Sequence, residues 1–426
     1  MTATRKHVAV VGAGWAGLAA AVQATDLGHR VALFDMAAQA GGRARSVPVP
    51  RTAELDNGQH ILIGAYRETL RLMRLVDQEP QGVLQRRPLE LMYPDGNGLR
   101  MPHGPARVVF AWAVLRARGW SWNDRWALLR QALVWQRNGM RNPGVDTVEQ
   151  LCDALPPRVR AELIEPLCIA ALNTPSSQAS ATVFLRVLND ALFGAPGGSD
   201  LLLPRVGLSK LFPSPALKWL EIHGAARRLA HRVQSIERTD RAWRVDSEPF
   251  DAVILASSAV EAARLAAPFN AEWALQAAAL TYEPIGTVYI KRSASPLPRP
   301  MVSLRASADH PAQFAFDLEL LGQHAGLVAF VVSGARPWLE RGVDAMAEAV
   351  QRQALSALPQ SFPVAMPEVL HTAMERRATF ACTAHMLRPP MDIAGGLLAA
   401  GDYVEGPYPA TLEGSVRAGV RAARAV

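Results

Sequence analysis

The chain has 426 residues, of which 50% are hydrophobic and 19% are charged. That is enough apolar surface for two or three domains, or for one large discontinuous domain, and it excludes an intrinsically disordered protein. The net charge of +7 comes almost entirely from arginine, and this basic excess fits contact with phosphates or an anionic lipid surface. No basic cluster is interleaved with aromatic residues as in a nucleic-acid groove, so nucleic acid is not an expected partner.

The three cysteines, Cys152, Cys168 and Cys382, include no CxxC pair. This spacing disfavours a zinc site or a disulfide framework, and we expect a reducing compartment and no bound metal. The N-terminal stretch has too few apolar residues for a signal peptide, and no run of 18 uncharged apolar residues could cross a membrane. The prediction is a cytoplasmic protein, with peripheral attachment to the inner face of the cytoplasmic membrane as an open alternative.

The first sixty residues contain a nucleotide-binding pattern. The runs His7 to Val11 and Arg30 to Phe34 predict buried strands, and Leu18 to Leu27 predicts a helix between them. The intervening GxGxxG permits a tight turn, a close approach to a pyrophosphate and close helix packing, and the helix N-terminus offers N–H groups to phosphates. A carboxylate ends the second strand, where it can accept hydrogen bonds from ribose hydroxyls. The order of elements predicts binding of NAD or FAD through Gly12, Gly14, Trp15, Ala16, Gly17 and Asp35.

A second glycine motif follows the second strand within a few residues. The string Gly41-Gly42-Arg43-Ala44-Arg45 resembles the second fingerprint of the FAD-dependent amine oxidase and carotenoid desaturase superfamily. In that superfamily the paired glycines and the arginine lie on the flavin side of the pyrophosphate. The resemblance favours non-covalent FAD over NAD and implies that Gly42 and Arg43 contact it.

The string Glu54 to Tyr66 combines small and polar residues with an apolar run, which predicts a turn that re-enters the core. In the same superfamily the equivalent D-x-G-x-H stretch passes beside the isoalloxazine ring. The resemblance implies cofactor contacts for Gly58, Gln59 and His60, and it places the Asp56 carboxyl near the flavin as well.

Residues 107–137 combine five tryptophans with six arginines. Their apolar spacing predicts two amphipathic helices joined near Gly119, with Ser121 or Asn123 as the N-cap of the second helix. Tryptophan rings and guanidinium groups around apolar helices suit an interfacial anchor, because the rings sit at headgroup level and the guanidinium groups meet lipid phosphates. The alternative is an internal helical hairpin with a solvated basic face, and membrane contact is favoured only if the substrate is a lipid.

Residues 163–194 are predicted to be helical with a break at Asn173-Thr-Pro175, and residues 285–291 and 326–333 predict strands of a second sheet. None of these segments shows a nucleophile–base pair or an acidic cluster. We therefore expect the chemistry to come from the flavin.

Three further segments return to the cofactor domain. Ala225 to Leu229 predicts a helix, Val233 to Glu237 and Trp243 to Val245 predict a β pair, and Phe250 to Ser258 predicts a strand. The last of these resembles the strand that returns beneath the FAD domain in this fold. The resemblance also implies a backbone contact from Val233 to the adenine.

Near the C-terminus, Gly396 to Ala400 predicts a strand that leads into Gly401-Asp402, and a helix of small residues follows. This segment resembles the C-terminal flavin motif of the superfamily, in which the aspartate meets the pyrophosphate or the ribityl chain. A helix N-terminus there points at the pyrimidine edge of the flavin. The resemblance implies cofactor contacts for Gly401, Asp402, Thr411 and Leu412, and it places Tyr408 nearby.

These elements predict an α/β fold with an α+β substrate part. The cofactor part is a Rossmann-type FAD-binding domain of the amine oxidase and desaturase type, with an inserted mixed-sheet and helical substrate domain. The FAD domain is expected to be discontinuous, with segments 1–66, 205–260 and 386–426. The substrate domain is expected to comprise residues 67–204 and 261–385.

The strings Asp56 to Tyr66, Asn173-Thr-Pro175 and Gly401-Asp-Tyr403 resemble one branch of the superfamily, the squalene-associated hydroxysqualene dehydroxylases of hopanoid synthesis. The resemblance runs over most of the chain, and Asp35 departs from it because the superfamily more often has glutamate there. It implies reduction of hydroxysqualene to squalene by reduced FAD, in an apolar tunnel for a long-chain isoprenoid with an acid beside the ring. The candidate acids are Asp56, His60 and Tyr408.

Other proteins share the flavin motifs. A carotenoid or phytoene-type polyene desaturase and an amine oxidase are open alternatives, whereas the intact motifs disfavour a non-enzymatic prenyl-binding protein of the same fold. The sequence has no second GxGxxG motif, so the reductant is expected to be external, either NADPH or a protein donor. Neighbouring squalene-pathway enzymes are candidate partners.

Overall fold

A computed structural model describes residues 5–50, 52–240, 242–363 and 366–426. A π-helical turn covers Arg160–Ile164. The strands are β1 (His7–Val11), β2 (Arg30–Phe34), β3 (Ser46–Val49), β4 (Thr52–Asp56), β5 (Leu62–Ile63), β6 (Leu84–Arg87), β7 (Glu90–Met92), β8 (Gly98–Arg100), β9 (Leu201–Pro204), β10 (Ala226–Arg228), β11 (Ile236–Arg238), β12 (Trp243–Val245), β13 (Glu248–Phe250), β14 (Ala252–Leu255), β15 (Tyr282–Lys291), β16 (Met301–Ser303), β17 (Phe314–Asp317), β18 (Leu327–Ser333), β19 (Val369–Phe380), β20 (Asp392–Ala394) and β21 (Leu397–Ala399). The α-helices are α1 (Trp15–Asp26), α2 (Arg67–Leu75), α3 (Pro80–Val83), α4 (Ala106–Leu115), α5 (Trp122–Arg137), α6 (Val148–Leu151), α7 (Pro157–Val159), α8 (Glu165–Leu172), α9 (Ala181–Leu192), α10 (Leu208–Leu211), α11 (Pro213–Ile222), α12 (Ala259–Ala266), α13 (Ala271–Ala278), α14 (Arg336–Arg341), α15 (Val343–Ala357) and α16 (Leu412–Arg424).

A six-stranded sheet of order β10-β2-β1-β14-β21-β20 forms the centre of the cofactor part. All neighbours from β10 to β21 pair in parallel, and β20 pairs antiparallel with β21. Strands β1, β2 and β14 are continuous apolar runs, as expected for a parallel sheet that is covered on both faces. The predicted α/β class with a Rossmann-type sheet is confirmed.

Helices pack against one face of this sheet, and a small antiparallel sheet packs against the other. Helices α1, α11 and α16 share a buried cluster with Val8, Val10 and Leu33 on one face. The antiparallel sheet β11-β12-β13 shares a cluster with Ala9 and Phe34 on the other face. Because side chains alternate along a strand, β1, β2, β14 and β21 each supply both clusters.

The helix predicted at Ala225 to Leu229 is wrong. Ala226–Arg228 is strand β10, which pairs in parallel with β2 along Ala32 to Phe34. Alanine, arginine and leucine favour helices, but the open edge of β2 offers unpaired backbone groups, and pairing with them outweighs this weak local preference. The predicted β pair that follows is present as β11 and β12, although β11 begins at Ile236 and not at Val233.

The substrate part is built around a five-stranded antiparallel sheet of order β16-β17-β18-β15-β19. The strands predicted at residues 285–291 and 326–333 lie within β15 and β18, and both are confirmed. The predicted helical stretch is confirmed as α8 and α9, and the break falls at Asn173, whose φ of 46° ends α8 in the left-handed region. The proposed domain boundaries stay a prediction.

Helices α4 and α5 form the predicted helical pair. Ser121 is the N-cap of α5, and its side chain exchanges hydrogen bonds with Asp124 in a capping box. Within the ranges that the structure describes, no helix is long and apolar enough to cross a membrane.

Candidate active site

The first glycine motif lies at the carboxyl end of β1, and Gly12 and Gly17 occupy positions where only glycine fits. Gly12 has a φ of +115°, and a Cβ there would lie 2.5 Å from the carbonyl oxygen of Ala256. A Cβ on Gly17 would lie 1.7 Å from the carbonyl oxygen of Gly12. The motif therefore packs the start of α1 against the turn, backbone to backbone.

The start of α1 leaves several amides available. The Leu18 N–H donates to the Gly14 carbonyl at 2.9 Å, so the amides of Trp15, Ala16 and Gly17 have no acceptor within the helix. Helix N-termini of this kind bind phosphate groups. The predicted contacts of these residues can therefore be made by the backbone.

The side chain of Trp15 makes contacts within the protein. Its indole is buried, its Nε1 donates to the Ala44 carbonyl at 2.9 Å, and its ring lies 5.2 Å from that of Phe212. The indole thus ties α1 to the second glycine motif.

Asp35 lies at the end of β2, as predicted, and its carboxylate is half-buried. It accepts hydrogen bonds from the Ala13 N–H at 2.5 Å and the Ala37 N–H at 2.7 Å. The Asp35 carbonyl accepts from the His231 N–H at 2.8 Å, which brings the segment containing Val233 alongside. The carbonyl of buried Val233 accepts a hydrogen bond from Arg264 at 2.7 Å.

The second glycine motif lies against the first. Gly14 and Gly41 form a parallel bridge, and the Gly41 N–H donates to the Ala13 carbonyl at 2.8 Å. A Cβ on Gly42 would lie 3.2 Å from the Gly14 Cα. Two motifs that are about 30 residues apart in sequence thus form one cradle of backbone.

An ion pair joins the second motif to the C-terminal motif. Arg43 donates to Asp402 at 2.6 Å and to the Ala378 carbonyl at 2.9 Å. The Asp402 side chain is 7% exposed, whereas the Arg43 side chain is 37% exposed. Burial lowers the pKa of Arg43, but Asp402, Tyr282 and Glu375 together raise it by more, so the guanidinium stays charged. The two predicted cofactor residues therefore meet, and part of the cation is left for a ligand.

Asp56 is buried and held in place by hydrogen bonds. Its Oδ1 accepts hydrogen bonds from the Ser46 hydroxyl at 2.7 Å and the Leu208 N–H at 2.9 Å, and its carbonyl accepts from the Tyr289 hydroxyl at 2.7 Å. Burial raises the pKa of Asp56. The residue connects β4 to β3, α10 and β15, which positions the segment after it.

His60 follows in the same turn. Its Nδ1 lies 2.7 Å from the Gly58 carbonyl, which can only accept, so Nδ1 carries the hydrogen. Burial lowers the pKa of His60 and favours the neutral ring. In that form its Nε2 is a hydrogen-bond acceptor.

Three buried polar atoms nearby have no hydrogen-bond partner among the described residues: Gln59 Nε2, Thr287 Oγ1 and the Tyr403 hydroxyl. Gly58 leaves room beside them, since a Cβ there would still lie 3.8 Å from Thr287 Oγ1. Buried polar groups are normally satisfied, so these atoms fit a polar ligand such as the edge of an isoalloxazine ring.

The C-terminal motif ends at the start of α16. Thr411 caps the helix, with its Oγ1 accepting from the Gly414 N–H at 2.9 Å, and Leu412 is the first helical residue. Tyr408 donates to Asp190 at 2.9 Å, and the Arg417 guanidinium lies 4.7 Å from its ring. Burial raises the pKa of Tyr408, and Asp190 raises it further, so the phenol keeps its proton.

Sequence reasoning missed two residues at this site. Burial raises the pKa of Tyr282, and charge interactions with Arg43 and Asp402 show that its phenol lies close to their ion pair. Glu413 is fully buried, and its carboxylate accepts from the Thr69 N–H at 3.0 Å. An acid in the first turn after a threonine cap was a usable signal for Glu413, but nothing in the sequence singles out Tyr282.

The motifs converge because β1, β2, β14 and β21 are parallel, so that the loops after their carboxyl ends meet at one edge of the sheet. This fold and these residues define an FAD-dependent oxidoreductase.

Comparison with known proteins agrees with this class. The family described as flavin containing amine oxidoreductase matches residues 15–426, and the chain belongs to that family. A hydroxysqualene dehydroxylase of Sinorhizobium fredii is 27% identical over 98% of this chain and 97% of its own length. A hydroxysqualene dehydroxylase of Zymomonas mobilis is 25% identical over 97% of each chain. Among solved structures, cyclohexylamine oxidase of Brevibacterium oxydans superposes with a TM-score of 0.73 at 17% identity, over 99% of this chain and 98% of its own.

Proposed function

We propose that this enzyme reductively removes the allylic hydroxyl of hydroxysqualene and forms squalene in hopanoid biosynthesis. The observation that carries the proposal is the similarity to two hydroxysqualene dehydroxylases over nearly the full length of the chain. The alcohol and reduced FAD together become the hydrocarbon, water and oxidised FAD, so atoms and electrons balance.

The chain's own residues would hold the cofactor along its length. The amides at the start of α1 suit the pyrophosphate and the Asp35 carboxylate suits the ribose. Val233, whose carbonyl is bonded to Arg264, would meet the adenine through its backbone N–H. The exposed part of the Arg43 guanidinium carries positive charge, and the start of α16 is the positive end of a helix dipole. Both suit the flavin end of the cofactor. The cofactor contacts assigned are Gly12, Gly14, Trp15, Ala16, Gly17, Asp35, Gly42, Arg43, Gly58, Gln59, His60, Val233, Gly401, Asp402, Thr411 and Leu412.

The hydroxyl must gain a proton to leave as water, and the directions of the pKa shifts separate the three candidate acids. Burial raises the pKa of Asp56, which favours a protonated carboxyl that can give up its proton. The lowered pKa of His60 favours a ring without a spare proton, and the raised pKa of Tyr408 makes the phenol a weaker acid. We assign proton donation to Asp56. Because Oδ1 accepts two hydrogen bonds, Oδ2 is the oxygen that would carry and release this proton.

The test is anaerobic incubation of the purified holoenzyme, with its FAD chemically reduced, and hydroxysqualene, followed by mass analysis of the lipid. Squalene formed together with flavin reoxidation supports the proposal. If the lipid is unchanged while phytoene reduces the oxidised flavin, the enzyme is a desaturase. Oxidation of a primary amine instead would assign it to the amine oxidases.

The variants Asp56→Asn, His60→Gln and Tyr408→Phe test the assignment of the acid. D56N is expected to keep its FAD and to lower turnover by about 100-fold or more, because a general acid contributes roughly that much. H60Q and Y408F are the matched variants, and each should retain more activity than D56N. Loss of FAD from D56N would instead make Asp56 a positioning residue.

The chain has a single GxGxxG motif, so we propose an external reductant, NADPH or a protein donor. We also propose a cytoplasmic enzyme that contacts the inner face of the membrane and neighbouring squalene-pathway enzymes, since its substrate is a long-chain isoprenoid. Flavin reduction by NADPH alone, measured by absorbance without oxygen, would exclude the need for a protein donor.

A further inference from the structure

The outer side of helices α4 and α5 exposes large apolar side chains, whereas a helix that faces water normally has a polar outer side. Among the described residues, seven of the sixteen exposed large hydrophobic side chains lie within residues 108–134, so they form a patch rather than scatter over the surface. Trp122 is 63% exposed and Trp126 is 60% exposed. We call this patch the hairpin face: Val108, Trp112, Leu115, Trp122, Trp126, Leu133 and Val134.

The protein does not need the hairpin face for its own core. Both helices bury a second set of apolar side chains, including Phe110 and Val114 on α4 and Leu128 and Trp135 on α5. The exposed set therefore faces outward while the hairpin is already anchored inward.

The hairpin face is surrounded by positive charge. Residues 107–137 contain six arginines, and the single acid, Asp124, is buried and engaged in capping Ser121. The Arg116 guanidinium lies 4.9 Å from the centre of the Trp112 ring. Trp rings bordered by guanidinium groups match the boundary between the acyl chains and the phosphates of a bilayer.

A basic cleft of about 520 Å³ opens beside Trp112. Arg100 and Arg299, in its lining, share the buried carboxylate of Glu90 at 3.7 and 3.0 Å. Arg116 and Arg118 also line the cleft, and neither has a carboxylate within 4.0 Å in the part of the chain that the structure describes. The cleft thus carries uncompensated positive charge.

Apolar side chains line the same cleft, among them Met92, Met101 and Trp112. A ligand that satisfies both parts of the lining has a phosphate joined to an apolar chain. The continuity of the cleft with the hairpin face, through Trp112, favours a phospholipid within a membrane over a ligand in solution.

We propose that the hairpin face is a membrane-binding surface and that the cleft beside it takes the phosphate headgroup of an anionic bilayer lipid. The proposal deepens the location that we inferred under the proposed function, and it rests on that function only for the lipid nature of the substrate. Arg116 and Arg118 bind the phosphate, and the exposed tryptophans enter the interface.

The test is co-sedimentation of the FAD-loaded protein with vesicles of phosphatidylcholine, alone or mixed with phosphatidylglycerol. Binding to the mixed vesicles is expected, and it should weaken as sodium chloride is added. R116Q/R118Q should bind about 20- to 30-fold more weakly, since each arginine near an anionic surface contributes about 1 kcal/mol. W122Q/W126Q should bind both kinds of vesicle more weakly.

The matched control is R30Q/R244Q, which removes two exposed arginines from β2 and β12 and leaves the hairpin unchanged. It should bind like the wild-type protein. If the control and R116Q/R118Q lose vesicle binding equally, the effect is due to net charge and the proposal is overturned. Wild-type vesicle binding by R116Q/R118Q would also overturn it. If inorganic phosphate displaces the protein better than sodium chloride of equal ionic strength, the cleft binds a free anion and the bilayer assignment is wrong.

Turnover of hydroxysqualene in detergent micelles separates this proposal from the proposed reaction. R116Q/R118Q should turn over at the wild-type rate in micelles while failing to bind vesicles. If the wild-type enzyme binds anionic vesicles but turns over nothing in micelles, the reaction is wrong and the membrane surface stands.

Discussion

Around the two glycine motifs, chain segments touch backbone to backbone, whereas side chains join the segments of the substrate part. Gly17 leaves no room for a Cβ beside the Gly12 carbonyl, and Gly42 lies directly against Gly14. In the substrate part, the Asn173 side chain bridges three segments through hydrogen bonds. Close backbone contact tolerates a single residue type, so it produces a motif in the sequence, whereas a bridging side chain is one isolated polar residue.

The largest effect is expected where the backbone contact is closest. In Gly17→Ala the new Cβ would lie 1.7 Å from the Gly12 carbonyl oxygen, so α1 must move away from the turn. We expect a loss of about 3 kcal/mol or more in the free energy of unfolding, together with loss of FAD. Gly82→Ala is the control, because a Cβ there meets nothing within 4 Å. Flavin absorbance per protein and the urea midpoint measure both, and a yellow G17A of wild-type stability would contradict this account.

The next largest effect is expected in the substrate part, at Asn173. Its side chain accepts from the Gly334 N–H at 2.7 Å and donates to Thr379 Oγ1 at 2.9 Å and the Glu283 carbonyl at 3.2 Å. Asn173→Ala removes these bonds and places alanine at a φ of 46°, which together should cost about 3 kcal/mol.

Asn173→Ala should lower the unfolding midpoint while the folded fraction keeps its FAD, because no described contact of Asn173 reaches the glycine motifs. Asn189→Ala is the control, since among the described residues that exposed amide bonds only to its neighbour Asp190. Loss of FAD from folded N173A would show that the two parts of the molecule are not held independently.

A side-chain contact inside the cofactor part should have a smaller effect. Asp402→Asn removes the charge that faces Arg43, and we expect a cost of about 1–2 kcal/mol, less than for a fully buried pair because Arg43 is 37% exposed. FAD should dissociate more readily, as measured by flavin fluorescence. Glu348→Gln is the control, since its exposed pair with Arg352 spans 3.9 Å and contributes little. Equal losses in the two variants would remove the special role of the Arg43–Asp402 pair.

The smallest effect is expected from pH. Burial lowers the pKa of His60 in the cofactor part and of His371 in the substrate part. In the unfolded chain the pKa of such a histidine is about 6.5, so it binds a proton more readily there than in the folded protein. The neutral histidine therefore makes its full contribution to the stability of the fold above about pH 6.5. The contribution is lost as the pH falls from about 6.5 toward the folded pKa, at no more than about 1.4 kcal/mol per pH unit for each histidine.

Unfolding midpoints of the holoprotein between pH 5 and 8 measure this dependence. His60→Gln and His371→Gln should each flatten part of the acid side of the profile. An unchanged slope in H60Q would mean that His60 is not held neutral by burial.

The features that could be predicted from the sequence are those that depend on backbone contacts, and the features that could not are those that depend on contacts between distant segments. The glycine motifs, the strands β1, β2, β14 and β21 and the helix breaks at Gly119 and Asn173 could all be predicted, because each depends on local backbone geometry. Strand β10 could not, since its partner β2 lies almost 200 residues earlier in the chain. The role of Asp56 was only partly readable, because its hydrogen bonds to Ser46 and Leu208 form after the chain folds.

By itself, the sequence determined that this protein has a dinucleotide fold with flavin motifs, because close backbone approach admits only glycine and leaves a regular pattern. Only the tertiary structure decided that Arg43 pairs with Asp402, that Tyr282 lies beside them and that the tryptophans of α4 and α5 divide between core and surface. Those outcomes depend on contacts between residues far apart in the chain. Such contacts are set by packing, and no local spacing records them.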